Sequence, residues 1–289
     1  GRVCVYTHTG ADYALDVNGY VPSGSPVELA RPARLLDTRR DSWATTVDGR
    51  HQGTGVVRAE QTVEIPIAGR GDVPRGATAA LVTVTAVDPA AAGFLTVYPC
   101  GSRPHASSVN FAAGQTVPNG VIAELSASGS LCVYTNAATD LVVDVTGSVT
   151  GNGTGLGTFV PERLVDTRPD GPTIDGHNSG TPSRLRQGTT IEVQVAGRAS
   201  VPADATAALL NIGLVAPDNT TFATLYPCGE RPTASNVNLV AATSTRANST
   251  VTKLSPSGTV CIYVHAATDL ILDITGYLQH AEPAPRQST

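Results

Sequence analysis

The chain has 289 residues, a formal net charge of −5 at pH 7, and only 15% charged residues against 41% hydrophobic ones. That length fits two domains of ordinary size, and the acidic balance without any Lys/Arg run excludes an electrostatic footprint for nucleic acid. The apolar stretches are short and alternating, so none crosses a bilayer as a helix, and no basic-then-apolar leader opens the sequence.

Taken from the start, the chain repeats itself. Residues 4–19 recur as residues 132–147 and 261–276, beginning at Cys4, Cys132 and Cys261, at offsets of about 128–129 residues. Arg34-Leu-Leu-Asp-Thr-Arg39 returns as Arg163-Leu-Val-Asp-Thr-Arg168. Leu95-Thr-Val-Tyr-Pro-Cys-Gly101 returns as Ala223-Thr-Leu-Tyr-Pro-Cys-Gly229, and Ser108-Val-Asn110 as Asn236-Val-Asn238. So many landmarks in one register define a tandem repeat. The expected organisation is residues 1–21 as the last two strands of a preceding repeat, 22–150 and 151–280 as complete repeats, and 281–289 as a polar tail.

Within each copy the apolar period is two. Val63, Ile65 and Ile67 share a face, as do Val82 and Val84, and Leu141, Val143 and Val145. The second copy repeats this at Ile191, Val193 and Val195 and at Leu270, Leu272 and Ile274. Gly and Pro clusters at 69–74 and 197–202 bound the runs. Alternation bounded by turn residues predicts half-buried strands. About eight strands per copy and no helix predict an all-β chain of two tandem β-sandwiches, jelly-roll-like. A β-trefoil would need a threefold sub-repeat of about 40 residues, which is missing.

Each copy holds two cysteines, and the natural pairs are Cys100 with Cys132 and Cys228 with Cys261. A closed loop of about 32 residues stabilises by about 3–4 kcal/mol on the chain-entropy estimate. Disulfides place the chain outside the cytoplasm, the alternative being buried free thiols. Cys4 is left unpaired, because its aligned partner would lie upstream. Residues 1–21 therefore read as part of a cut array, or as strands that complete a partner's sheet.

These landmarks resemble the roughly 130-residue repeats of large secreted, mostly uncharacterised actinobacterial surface proteins. The pattern is carried by residues 34–39, 73–79, 96–101 and 132–147, and again between Arg163 and Tyr277. It departs at Ser148, where the other copies have Tyr20 and Tyr277. The resemblance implies an accessory or surface module, not an activity.

The candidate sites fall into four groups. Arg34, Asp37 and Arg39, with Arg163, Asp166 and Arg168, read as structural Arg–Asp pairs that pin the first strand. The long loops 40–60 and 169–189 exceed the usual length and are candidates for ligand binding, through Trp43, Asp48, His51, Asp175 and His177. Asp37, Asp41 and Asp48, aligned with Asp166, Asp170 and Asp175, match no Ca²⁺ loop spacing. Asp140/Asp144 and Asp269/Asp273 share a strand face open to solvent or to polar contacts between repeats. No histidine spacing fits a metal, and no catalytic motif stands out, so neither enzyme activity nor a cofactor is expected.

The leading expectation is a non-enzymatic extracellular spacer, stalk or filament element whose partners are neighbouring repeats of the same or identical chains. A carbohydrate-binding module facing cell-surface polysaccharide is the runner-up. An accessory C-terminal region of a larger secreted enzyme is third.

Overall fold

The structure is a computed structural model. It describes the chain except residues 1, 3, 9, 11, 13, 14, 18, 22–24, 41–44, 151–154, 181–182, 240–244 and 280–289. Sixteen strands and no helix are present among the described residues. The first eight are β1 (Val27–Asp37), β2 (Gln61–Pro66), β3 (Ala77–Val87), β4 (Gly93–Pro99), β5 (Val109–Phe111), β6 (Val117–Glu124), β7 (Ser130–Thr135) and β8 (Asp140–Thr150). The second eight are β9 (Leu156–Asp166), β10 (Thr190–Gln194), β11 (Ala205–Val215), β12 (Thr221–Pro227), β13 (Val237–Leu239), β14 (Thr245–Lys253), β15 (Thr259–Val264) and β16 (Asp269–Gln279).

They form four antiparallel four-stranded sheets. The first repeat has the orders β1-β8-β3-β6 and β2-β7-β4-β5; the second has β9-β16-β11-β14 and β10-β15-β12-β13. The two halves thus share one topology, strand for strand. Two facing four-stranded sheets with these crossovers make a jelly roll, two Greek keys wrapped into a sandwich. The fold class read from the alternation is the fold that forms.

Each sandwich has its own core. Ile65, Val82, Val84, Leu95, Val97, Val143 and Val145 interdigitate in the first, and Val193, Leu210, Ile212, Leu225, Leu272 and Ile274 in the second. A register shift in β1 between Arg34 and Leu36 breaks the alternation locally. Such a bulge re-aims neighbouring side chains. Here Leu35 and Leu36 are both buried, while Arg34 stays on the outer face of the sheet.

The glycine that ends the recurring Asp-x-x-Gly pattern has a steric reason. A Cβ on Gly147 would lie 2.7 Å from the Glu28 carbonyl, and one on Gly276 would lie 2.4 Å from the Gly157 carbonyl. Only glycine lets β1 and β9 approach so closely.

The described residues of 1–21 form no strand. Val17 is 83% exposed, whereas its counterpart Val145 is fully buried. Two strands without further strands to pair with, or a sheet to cover them, have no face to bury. The expected tail 281–289 lies outside the described residues.

Candidate functional site

The Arg-Leu-Leu-Asp-Thr-Arg motif ends β1 in a closed network. The buried Asp37 carboxylate accepts from Arg34 Nη1 at 3.1 Å, Arg39 Nε at 2.9 Å and Arg39 Nη2 at 2.7 Å. Arg34 also forks onto Asp144 of β8, Nε to Oδ1 at 2.8 Å and Nη2 to Oδ2 at 3.1 Å. The Thr38 hydroxyl donates to Asp140 and accepts from the Leu141 N–H. The second repeat copies this with Arg163, Asp166, Arg168, Asp273, Thr167 and Asp269. Burial alone would raise the Asp166 pKa, but the guanidiniums of Arg168 and Arg163 outweigh it and hold the carboxyl below its usual range. These groups pin β1 to β8, and β9 to β16.

The long loops are pinned rather than free. In the first, Asp37 N–H donates to the His51 carbonyl at 3.1 Å, Gly53 N–H to Asp37 at 2.8 Å, and Val47 N–H to Arg34 at 2.8 Å. In the second, Asp166 N–H donates to Asn178 at 3.1 Å and Ile174 N–H to Arg163 at 2.9 Å. Asp48 is gripped by both arms of Arg70, Nε to Oδ2 at 2.7 Å and Nη2 to Oδ1 at 2.8 Å. Asp175 is gripped the same way by Arg198, both contacts at 2.8 Å. Arg70, nearly buried, also donates to the carbonyls of Pro66 and Leu35.

These bidentate hydrogen bonds hold the Asp48 carboxyl far below the usual carboxylate range, against the opposing effect of burial, and Asp175 below it for the same reason. Each carboxylate expected as a ligand group thus carries a bidentate arginine and stays partly exposed. His51 sits in a positive-φ turn, its pKa lowered by burial and by Arg70 and Arg50. The His177 carbonyl accepts from the Thr173 hydroxyl at 2.8 Å. Trp43 and Asp41 lie outside the described residues, as does His280.

Sequence reasoning missed Arg70 and Arg198. Their signal was present as Gly-Arg-x-x-Val-Pro at 69–74 and 197–202, where only the turn was read. It also missed an aromatic ledge over each disulfide. Cys100 pairs with Cys132 and Cys228 with Cys261, with Cα–Cα distances of 4.9 and 4.8 Å. Beside the first bond Arg103 lies 4.0 Å above the Tyr134 ring, and Tyr134 donates its hydroxyl to Glu60. Beside the second, Arg231 lies 4.1 Å above Tyr263. Cys4 is free and exposed.

The two repeats meet along a polar junction. The β5–β6 edge of the first sandwich, with residues 104–108, seats on the outer face of the β9-β16-β11-β14 sheet of the second. Ser107 N–H donates to Asp273 Oδ2 at 2.9 Å. Asn119 Nδ2 donates to Asn211 Oδ1 at 2.9 Å, and Ser249 N–H donates to Asn119 Oδ1 at 3.0 Å. Asn211 Nδ2 donates to the Ser107 carbonyl. Asn119, Asn211, Ser107 and Asp273 are all buried, and all are hydrogen-bonded, as buried polar groups must be. Arg163 Nη1 points at His105 Nε2 at 3.3 Å, a contact that needs the imidazole neutral at that nitrogen. A cleft beside it is lined by Pro104, His105, residues 160–163 and residues 172–174.

Among the described residues no three His, Cys, Asp or Glu side chains are grouped to hold a metal ion. No protein-family model and no curated protein matches the chain. Among solved structures, the extracellular domain of ANXUR1 from Arabidopsis thaliana is similar, at 9% identity and a TM-score of 0.25, over 90% of this chain and 93% of that one. A likeness so weak carries no argument about function; the chain's own geometry does.

Proposed function

We propose that this chain is a non-enzymatic structural element of an extracellular protein, in which jelly-roll repeats stack into a stiff spacer. One observation carries the reading: the junction between the repeats is a buried, fully hydrogen-bonded seam, not a loose linker. Inter-domain motion is the default unless such an interface opposes it. The two intrachain disulfides support an oxidising compartment. The site residues support it as well, because the Arg and Asp groups of each repeat are spent on holding strands and loops together. The partner class that follows is a neighbouring repeat.

Small-angle scattering on the intact chain tests this. A single stiff two-lobed particle, unchanged between low and high salt, is expected. Profiles that need two independently tumbling domains would overturn the spacer reading. So would glycan binding at millimolar concentration or tighter on an array, which Trp43→Ala should abolish if the loops bind sugar.

A further inference from the structure

The seam between the repeats joins two different surfaces. The first repeat contributes a tail, the β5–β6 edge with Ser107, Ser108, Asn110 and Asn119. The second contributes a head, the outer sheet face with Asn211, Ser249 and Asp273. Within these 289 residues such a contact joins one head to one tail, and one surface of each kind lies outside it. Since both repeats have the same topology, the leftover surfaces can be located by register.

The leftover tail is on the second repeat. Ser107, Ser108, Asn110 and Asn119 correspond to Ser235, Asn236, Asn238 and Asn248. The local hydrogen bonds match: Asn119 Nδ2 donates to the Ser108 carbonyl at 2.6 Å, and Asn248 Nδ2 to the Asn236 carbonyl at 2.7 Å. All four are buried in the first repeat. In the second, Asn238 and Asn248 are exposed and Ser235 and Asn236 half-exposed.

The leftover head is on the first repeat. Leu209, Asn211, Ala247 and Asp273 correspond to Leu81, Thr83, Pro118 and Asp144 by strand register. The first four are buried. Of the second four, Pro118 is exposed and the others half-exposed. The Arg163 side chain is 5% exposed, while its counterpart Arg34 is 25% exposed.

We propose that the tail of the second repeat docks on the head of the first repeat of another copy of this chain, giving head-to-tail assemblies. The inference rests on the stacked-repeat reading above and adds its partner and its residues. The Ser235 N–H would take the place of Ser107 on the Asp144 carboxylate, already oriented by Arg34 as Asp273 is by Arg163. The Asn248 edge would face Thr83. Two positions weaken this contact relative to the internal seam: Thr83 stands where Asn211 does, and Gly120 where Ser249 does. The association is therefore reversible and concentration-dependent.

Sedimentation velocity on the intact chain tests this, in a Cys4→Ser background so that the exposed thiol cannot cross-link copies. The sedimentation coefficient is expected to rise beyond the dimer value between about 1 µM and about 1 mM. Gly120→Arg blocks the head, and Asn248→Arg blocks the tail. Both positions are exposed, and a Cβ on Gly120 meets nothing within 4 Å. Each variant alone should remain monomeric, while their equimolar mixture should form a dimer and stop there. Thr83→Asn with Gly120→Ser supplies the free head with the hydrogen-bonding side chains of Asn211 and Ser249 and should tighten association at least about tenfold, which two added hydrogen bonds can supply.

A chain that stays monomeric throughout, association that survives both blocking variants, or no tightening by the rebuilt head would each overturn the proposal. A monomer whose scattering is still that of one stiff particle would leave the spacer reading standing and remove only the contact between copies.

Discussion

Asn119 and Asn211 bond to each other across the repeat junction at 2.9 Å although 92 residues separate them. Each amide also serves a second partner on the opposite repeat, Asn119 through the Ser249 N–H and Asn211 through the Ser107 carbonyl. The pair therefore ties two independent cores together. Asn211→Leu should remove the bond from Asn119 Nδ2 and leave the Ser107 carbonyl without its Asn211 donor, while Asn119 keeps the Ser108 carbonyl and the Ser249 N–H. The expected cost is about 1–3 kcal/mol. A double-mutant cycle with Asn119→Ala and Asn211→Ala, read by urea unfolding, should show coupling of at least about 0.5 kcal/mol. Strict additivity would mean that the seam is not a unit.

Arg70 gathers Asp48 and the Leu35 and Pro66 carbonyls around one nearly buried guanidinium. Arg70→Ala removes these bonds, leaves Asp48 with the Arg50 N–H, and should destabilise the first sandwich by about 1–3 kcal/mol. Arg70→Lys should fail to rescue, because an ammonium cannot reproduce the two-pronged grip. Limited proteolysis would locate the damage, with faster cutting between residues 45 and 60. Arg198→Ala should expose the loop around Asp175 in the second sandwich and leave the first unchanged.

The disulfides belong to separate cores. Cys100→Ser with Cys132→Ser should lower the stability of the first sandwich by about 3–4 kcal/mol, and Cys228→Ser with Cys261→Ser that of the second by a similar amount. Calorimetry would then resolve two transitions, with only the one carrying the deletion moved downward. A uniform shift of a single transition would instead show that the seam makes the two repeats one cooperative unit.

Acid should weaken the chain in two stages. His105 and His51 have lowered pKa values, first from burial and then from nearby arginines, so the fold favours their neutral forms. Their contribution is full above about pH 6.5 and is lost as pH falls through the lower folded values. Asp48, Asp166 and Asp175 are also depressed, so their contribution is full above about pH 4 and is lost below it. Urea midpoints at pH 8, 5 and 3 should fall in that order. His105→Asn should remove part of the first step, because an uncharged side chain there never repels Arg163.

Much of this architecture was legible in the residues. Period-two alternation at 63–67, 82–84 and 141–145 encodes strands because side chains on a strand alternate between faces. Repetition at about 128–129 residues encodes two sandwiches, and each Cys pair falls inside one of them. The ligand reading of Asp48 and Asp175 was not supported in the same way. A carboxylate in a polar loop looks available in one dimension, and Arg70 and Arg198 reach it only once the turn at 69–74 or 197–202 folds back.

Local pattern alone was enough for strand number, sandwich class and disulfide pairing, because each depends on short-range alternation or on spacing within one copy. Which faces touch was not encoded that way. Asn119 and Asn248 are the same residue in the same strand register, yet one is buried in a seam and the other exposed. The difference lies in what packs against them, and packing between repeats is a property of three-dimensional neighbours that no single copy's pattern contains.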